Sequence, residues 1–118
     1  MATYDHLPVY KESYDLLVLV FNVCRNMQRD YRYTLGENLK KELVDMLVHI
    51  YRANCRYQKT EQIAQARENL EIVKLMWRLC NELKQIPLKT FALASEKLEN
   101  ISRQLTAWEK SCERKGSN

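Results

Sequence analysis

Glycine and proline are scarce in this 118-residue chain, with two of each. The closely spaced Gly and Pro turns of an all-β domain are therefore missing. No C-x-x-C pair occurs among the four cysteines, Cys24, Cys55, Cys80 and Cys112. His6 and His49 stand at no ligand spacing from any of them, so the pattern offers no zinc site. Long apolar runs are missing too. The longest, "LLVLVF" at Leu16–Phe21, is far too short to cross a bilayer. The N-terminal "MATYDHLPVYKESYD" is polar and acidic, unlike a signal peptide. These features lead us to expect a soluble, cytoplasmic protein with no membrane partner. Strong charge of one sign is also lacking. The net charge is +4, from 19 basic and 15 acidic residues. That balance permits nucleic-acid binding without demanding it.

Catalytic motifs are equally thin. There is no Gly-rich phosphate loop. Two histidines give no convincing Ser/His/Asp or Cys/His set. Helical RNases that pair an Arg with a nearby His are not matched either, because Glu42, Leu43 and Val44 occupy the positions upstream of His49. No cofactor is implied.

What the chain has in abundance is helix-forming residues at heptad spacing. Hydrophobic residues make up 46% of it, and Leu, Lys, Glu, Arg, Ala and Gln are plentiful. Pro8 suits a first helical turn. After it, Tyr10, Tyr14, Leu17, Phe21 and Cys24 step by 4, 3, 4 and 3, the mark of a core-facing seam, widened by Leu16, Val20 and Val23. Thr34 and Glu37 read as a capping box for a second helix, with Leu39, Leu43, Met46, Ile50 and Ala53 inward. Thr60 is a candidate N-cap for a third helix, with Ile63, Ala66, Leu70, Val73, Trp77 and Cys80 inward. Pro87 disfavours helix in the residue before it and so ends that element. A fourth carries Phe91, Ala94, Leu98, Ile101, Leu105, Trp108 and Cys112. Cys24, Cys80 and Cys112 thus fall on apolar faces, as expected of buried, reduced thiols. The spacing predicts helices over about 9–27, 35–54, 61–85 and 89–112, forming one domain over 1–118. The expected fold is all-α, an antiparallel up-down-up-down four-helix bundle.

Two constellations carry possible chemistry. Glu68 and Glu71, and again Glu96 and Glu99, form E-x-x-E pairs, as in all-α nucleotide pyrophosphohydrolases that hold Mg²⁺. The heptad register turns all four outward, which favours a solvated face. The basic residues are more suggestive. Arg25, Arg29 and Arg32 surround the end of the first helix; Arg52, Arg56 and Lys59 surround the end of the second, in "IYRANCRYQKT". Cations at helix C-termini offset the macrodipole, so some of these serve the helices themselves. Arg67, Lys74 and Arg78 follow on the third helix, and Tyr31, Tyr33, Tyr51 and Tyr57 are interleaved for stacking.

Four segments resemble the accessory variability determinant proteins of diversity-generating retroelements. They are "YDLLVLVFNVCRNM", "LGENLKKELVDMLVHIYRAN", "ARENLEIVKLMWRLCNELKQI" and "KTFALASEKLENISRQLTAWEKS", of which "IYRAN" and "RQLTAW" are the most telling. These proteins are relatives of four-helix proteins encoded in 23S ribosomal RNA intervening sequences. The resemblance covers about residues 9–112. It implies a barrel-shaped homopentamer of four-helix bundles that is not itself catalytic. It also implies a basic surface binding a reverse transcriptase and its template RNA or cDNA in mutagenic retrohoming. Transferred onto this sequence, that binding would rest on Arg52, Arg56, Lys59, Arg67, Lys74 and Arg78. The alternative it leaves open is a structural bundle of the ribosomal intervening-sequence type with no reverse-transcriptase partner.

Overall fold

The computed structural model describes residues 7–55 and 59–116. Four long helices account for most of them: α1 (Pro8–Cys24), α2 (Glu37–Cys55), α3 (Lys59–Glu82) and α4 (Leu88–Gly116). No strand occurs among the described residues. Each helix packs against its sequence neighbours and α4 returns against α1, so α1 lies diagonally opposite α3. The α1–α2 and α3–α4 connections share one end, where the Gln28 N–H donates to Gln85 Oε1 at 2.8 Å. The result is an up-down-up-down bundle measuring 46 × 22 × 22 Å.

The cores of α2 and α3 follow the heptad spacing. Leu39, Leu43, Met46, Ile50 and Ala53 are buried, as are Ile63, Ala66, Leu70, Val73, Trp77 and Cys80. In α4, Ala94, Leu98, Ile101 and Leu105 are buried, while Phe91, Trp108 and Cys112 pack against the core from its edge. Trp77 is inside the core, stacked on Phe91 with centroids 6.1 Å apart, and its Nε1–H donates to the Phe91 carbonyl.

Helix α1 corrects the sequence reading. The buried row is Val9, Ser13, Leu16, Val20 and Val23, joined by Cys24. Tyr14 and Phe21, placed inward by spacing, are exposed, and Tyr10 and Leu17 are half-buried. Ser13 hides the true row from a hydrophobicity count. Its hydroxyl is satisfied inside the helix, donating to the Val9 carbonyl at 2.7 Å, so a polar residue is buried at little cost.

Helix ends also differ. Helix α1 stops at Cys24 rather than Met27. A short turn, Arg29–Tyr31, leads through a π-helical turn, Arg32–Gly36, directly into α2. Thr34 therefore caps nothing; its hydroxyl donates back to the Asp30 carbonyl at 2.8 Å. Gly36 is buried against Cys24, and a Cβ there would stand 3.3 Å from Cys24 Sγ. Thr60 lies inside the first turn of α3, which begins at Lys59. Helix α3 ends at Glu82, before Pro87 can act. The Gln85 N–H donates to the Cys80 carbonyl and the Lys84 N–H to the Asn81 carbonyl, each at 2.9 Å. That pairing is a Schellman motif, with Lys84 at φ 60° in the place glycine prefers. Lys84→Gly is expected to stabilise the protein by about 1 kcal/mol, because glycine carries no Cβ penalty there. Urea denaturation measures it.

Candidate nucleic-acid and partner interface

Of the six basic residues singled out by the sequence, the five that are described do not converge on one cluster. They divide between the α2–α3 end of the bundle and the α3 flank that faces α4. At the α2–α3 end, Arg52 is exposed in the last turn of α2. Arg56 lies outside the described residues. Lys59 folds back on the helix it follows, its Nζ donating to the Ala53 carbonyl at 3.1 Å and the Asn54 carbonyl at 3.4 Å. It caps orphan carbonyls and answers the negative end of the α2 dipole. Arg32 does the same for α1, donating through Nη1 to the Arg25 carbonyl at 3.4 Å. Helix-end chemistry therefore claims Lys59 and Arg32.

Along α3, acids hold most of the basic charge. Arg67 pairs with Glu109, tying α3 to α4. Lys74 sits 3.5 Å from Glu71 and 3.6 Å from Glu99, bridging the same two helices. Arg78 lies 3.5 Å from Glu82, with both side chains well exposed, a geometry worth well under 1 kcal/mol. Arg78 is thus available to an outside anion at small cost, whereas Arg67 is committed to the helix seam. Arg25, Arg29 and Arg52 are exposed and make no ion pair among the described residues.

The aromatic side chains divide similarly. Tyr33 and Tyr51 are exposed, and the Arg32 guanidinium lies 5.4 Å from the Tyr33 ring centroid. Tyr57 lies outside the described residues. Trp77 is too deeply buried to stack on a base. The α1–α2 connection, whose Arg25, Arg29 and Arg32 the sequence offered but the family resemblance did not carry over as binding residues, thus carries an exposed Tyr33 beside Arg32, in "RDYRY".

Glu68, Glu71, Glu96 and Glu99 are all exposed, and no group of three metal-ligating side chains converges among the described residues. His49 Nδ1–H donates to Gln62 Oε1 at 3.0 Å, across the α2–α3 seam. No described helix is long and apolar enough to cross a membrane.

The thiols are all free. Cys24 and Cys80 are buried, Cys112 half-buried and Cys55 exposed. Burial pushes the Cys80 thiol up to about 11, with nearby Cys24 adding a little. Burial raises Cys24 as well, partly opposed by Lys40. Below pH 9 the Cys80 thiol is protonated in the folded and unfolded chain alike. As pH rises from 9 toward 11, the unfolded chain releases the proton first, so this contribution to stability falls away. Denaturation across that window is expected to show a steeper loss for the native chain than for Cys80→Ala.

A family model described as bAvd-like matches residues 8–112. The chain belongs to the bAvd-like family. The match runs from the first residue of α1 to the last turns of α4, so it takes in the whole bundle. A comparison with curated proteins gave no match. The bAvd-like assignment makes the chain an Avd-like protein, of an accessory type, on an all-helical frame.

Proposed function

We propose that this bAvd-like protein is a non-catalytic accessory subunit of a diversity-generating retroelement. It binds the reverse transcriptase and the template RNA or cDNA in the cytoplasm, as a homo-oligomer, and supports mutagenic retrohoming. The observation that carries this reading is the family match over residues 8–112. The exposed Arg25, Arg29 and Arg52, with no ion pair among the described residues, and the loosely paired Arg78 supply cations for phosphate contact. Repetition of these groups around an oligomer multiplies the field that each subunit presents.

A tagged pull-down from the source cell at low and high salt tests the proposal. The expected result is a reverse transcriptase together with one defined RNA, both lost at high salt. Recovery of the bundle alone at low salt would overturn it. One observation favours a second reading, a structural bundle of the ribosomal intervening-sequence type. Lys59, Arg67 and Lys74 already have internal partners, which leaves fewer cations for RNA.

A further inference from the structure

One end of the bundle collects cations around an exposed aromatic ring. The α1–α2 connection reads "RNMQRDYRY" over residues 25–33, with Arg25, Arg29 and Arg32 against a single acid, Asp30. Arg25, Arg29 and Asp30 are exposed, and none makes an ion pair among the described residues. The bond from the Gln28 N–H to Gln85 Oε1 clasps this connection to the α3–α4 one. Lys84 and Lys89 therefore stand at the same end, exposed and again without an ion pair among the described residues. The other acids here are Glu37, 2.9 Å from Lys40, and Glu82, in its open contact with Arg78. The surplus at this end is positive.

Tyr33 is 62% exposed, more than any other described tyrosine. The Arg32 guanidinium lies over its ring, 5.4 Å from the centroid. Arg32 is itself held in place. Its Nη1 donates to the Arg25 carbonyl at 3.4 Å, and its backbone N–H donates to the Gln28 carbonyl at 2.9 Å. Its Nε is buried with no hydrogen-bond partner among the described residues, so the fold leaves this guanidinium partly unsatisfied. The turn is braced as well. The Thr34 hydroxyl bonds back to the Asp30 carbonyl, and Gly36, which closes the π-helical turn carrying Tyr33, packs on Cys24. Such turns are rare and are found often at functional sites. A ring this exposed adds little to the core. Backed by a fixed cation, it loses little side-chain entropy when a flat group settles on its open side.

We infer that Tyr33 is a stacking platform for an unpaired base of single-stranded nucleic acid. The base lies on the open side of the ring, Arg32 backs the ring from the other side, and the flanking phosphates meet Arg25 and Arg29. Lys84 and Lys89 extend the positive field along the same end. Each part of such a strand has its counterpart here: a π-face for the ring and anions for the cations. A duplex keeps its bases stacked on one another and offers this end only its phosphates. Stacking accepts every base, because each has a π-face, so the site distinguishes single strand from duplex rather than one sequence from another. It rests on the nucleic-acid part of the function proposed above and adds how the strand is held.

Titration of the purified chain with synthetic oligonucleotides, followed by fluorescence anisotropy, tests the site with no reverse transcriptase present. Tyr33→Ala is expected to weaken binding of a short oligoadenylate about tenfold, within the usual loss for one stacked base. Its salt slope stays that of the native chain, because no phosphate contact is removed. Binding of a duplex of the same length is unchanged, and so is the melting temperature, since the ring is exposed. Tyr33→Trp restores the affinity for the single strand, and its added fluorescence is quenched as a base stacks on it. An oligonucleotide with the same phosphates but abasic sugars binds the native chain about tenfold more weakly than oligoadenylate does, while Tyr33→Ala binds the two alike. Unchanged affinity in Tyr33→Ala, or an equal loss on single strand and duplex, would overturn the stacking site and leave RNA binding standing. A native chain that binds neither single strand nor duplex would overturn the site together with the nucleic-acid part of the proposed function.

Discussion

Leu43→Ala is expected to lower the stability of the bundle by about 3–4 kcal/mol, the range for a fully buried leucine that leaves a cavity. Leu43 is completely buried in the middle of α2, in the core shared by all four helices. Its side chain has no solvent-side route of relaxation, because Leu39 and Met46, a turn away on either side, are completely buried too. For a chain of this size that loss corresponds to a fall in Tm of about 15 °C. Urea denaturation at neutral pH measures it, and the dependence on urea concentration is expected to keep its slope. A loss below about 1 kcal/mol would show that the α2 seam does not bear on the core as described.

Arg52→Glu combined with Arg29→Glu is expected to weaken RNA binding at least tenfold at low salt while leaving stability nearly unchanged. Both guanidinium groups are exposed and hold no ion pair among the described residues, so removing them breaks none there. A phosphate contact releases counterions, and each one lost lowers the salt dependence of single-strand binding by about 0.7 in log–log slope. Two lost contacts therefore flatten that slope by about 1.4, independently of RNA sequence. Arg67→Glu provides the contrast. It sets two acids together at the α3–α4 seam, where Glu109 is mostly covered, so its main effect is on stability. Filter binding over a salt series, paired with thermal melts of each variant, separates these outcomes. Unchanged affinity and slope in the Arg29 and Arg52 double variant would remove this surface from RNA binding. A melting temperature falling as far as that of Arg67→Glu would show both groups to be structural.

The number of helices, their order and most of the core were legible in the sequence, because heptad spacing is a local property of a helix. In α2 and α3 the residues marked by the heptad steps, Leu39 to Ala53 and Ile63 to Cys80, are the buried ones, so the inward face read out correctly. Membership of the bAvd-like family was also legible, since the resembling segments run along all four helices. Helix α1 was different. Its wheel held two competing rows, and the one with more aromatic surface was the wrong choice. Packing against α2 and α4 decided for the row containing Ser13, whose hydroxyl bonds to its own helix. The helix ends likewise depended on more than composition. Cys80, Asn81, Lys84 and Gln85 close α3 through backbone hydrogen bonds that no glycine announced. The basic residues show the same division. Sequence alone marks a cation as a possible phosphate ligand. Whether the charge is free depends on the neighbour that folding brings to it: a carbonyl for Lys59, Glu109 for Arg67, Glu99 for Lys74, and no acid among the described residues for Arg52. Spacing along a chain sets which residues share a helix face, and with them the pairs within one helix, Lys74 with Glu71 and Arg78 with Glu82, while an acid from another helix, Glu109 or Glu99, is set only by how the helices pack.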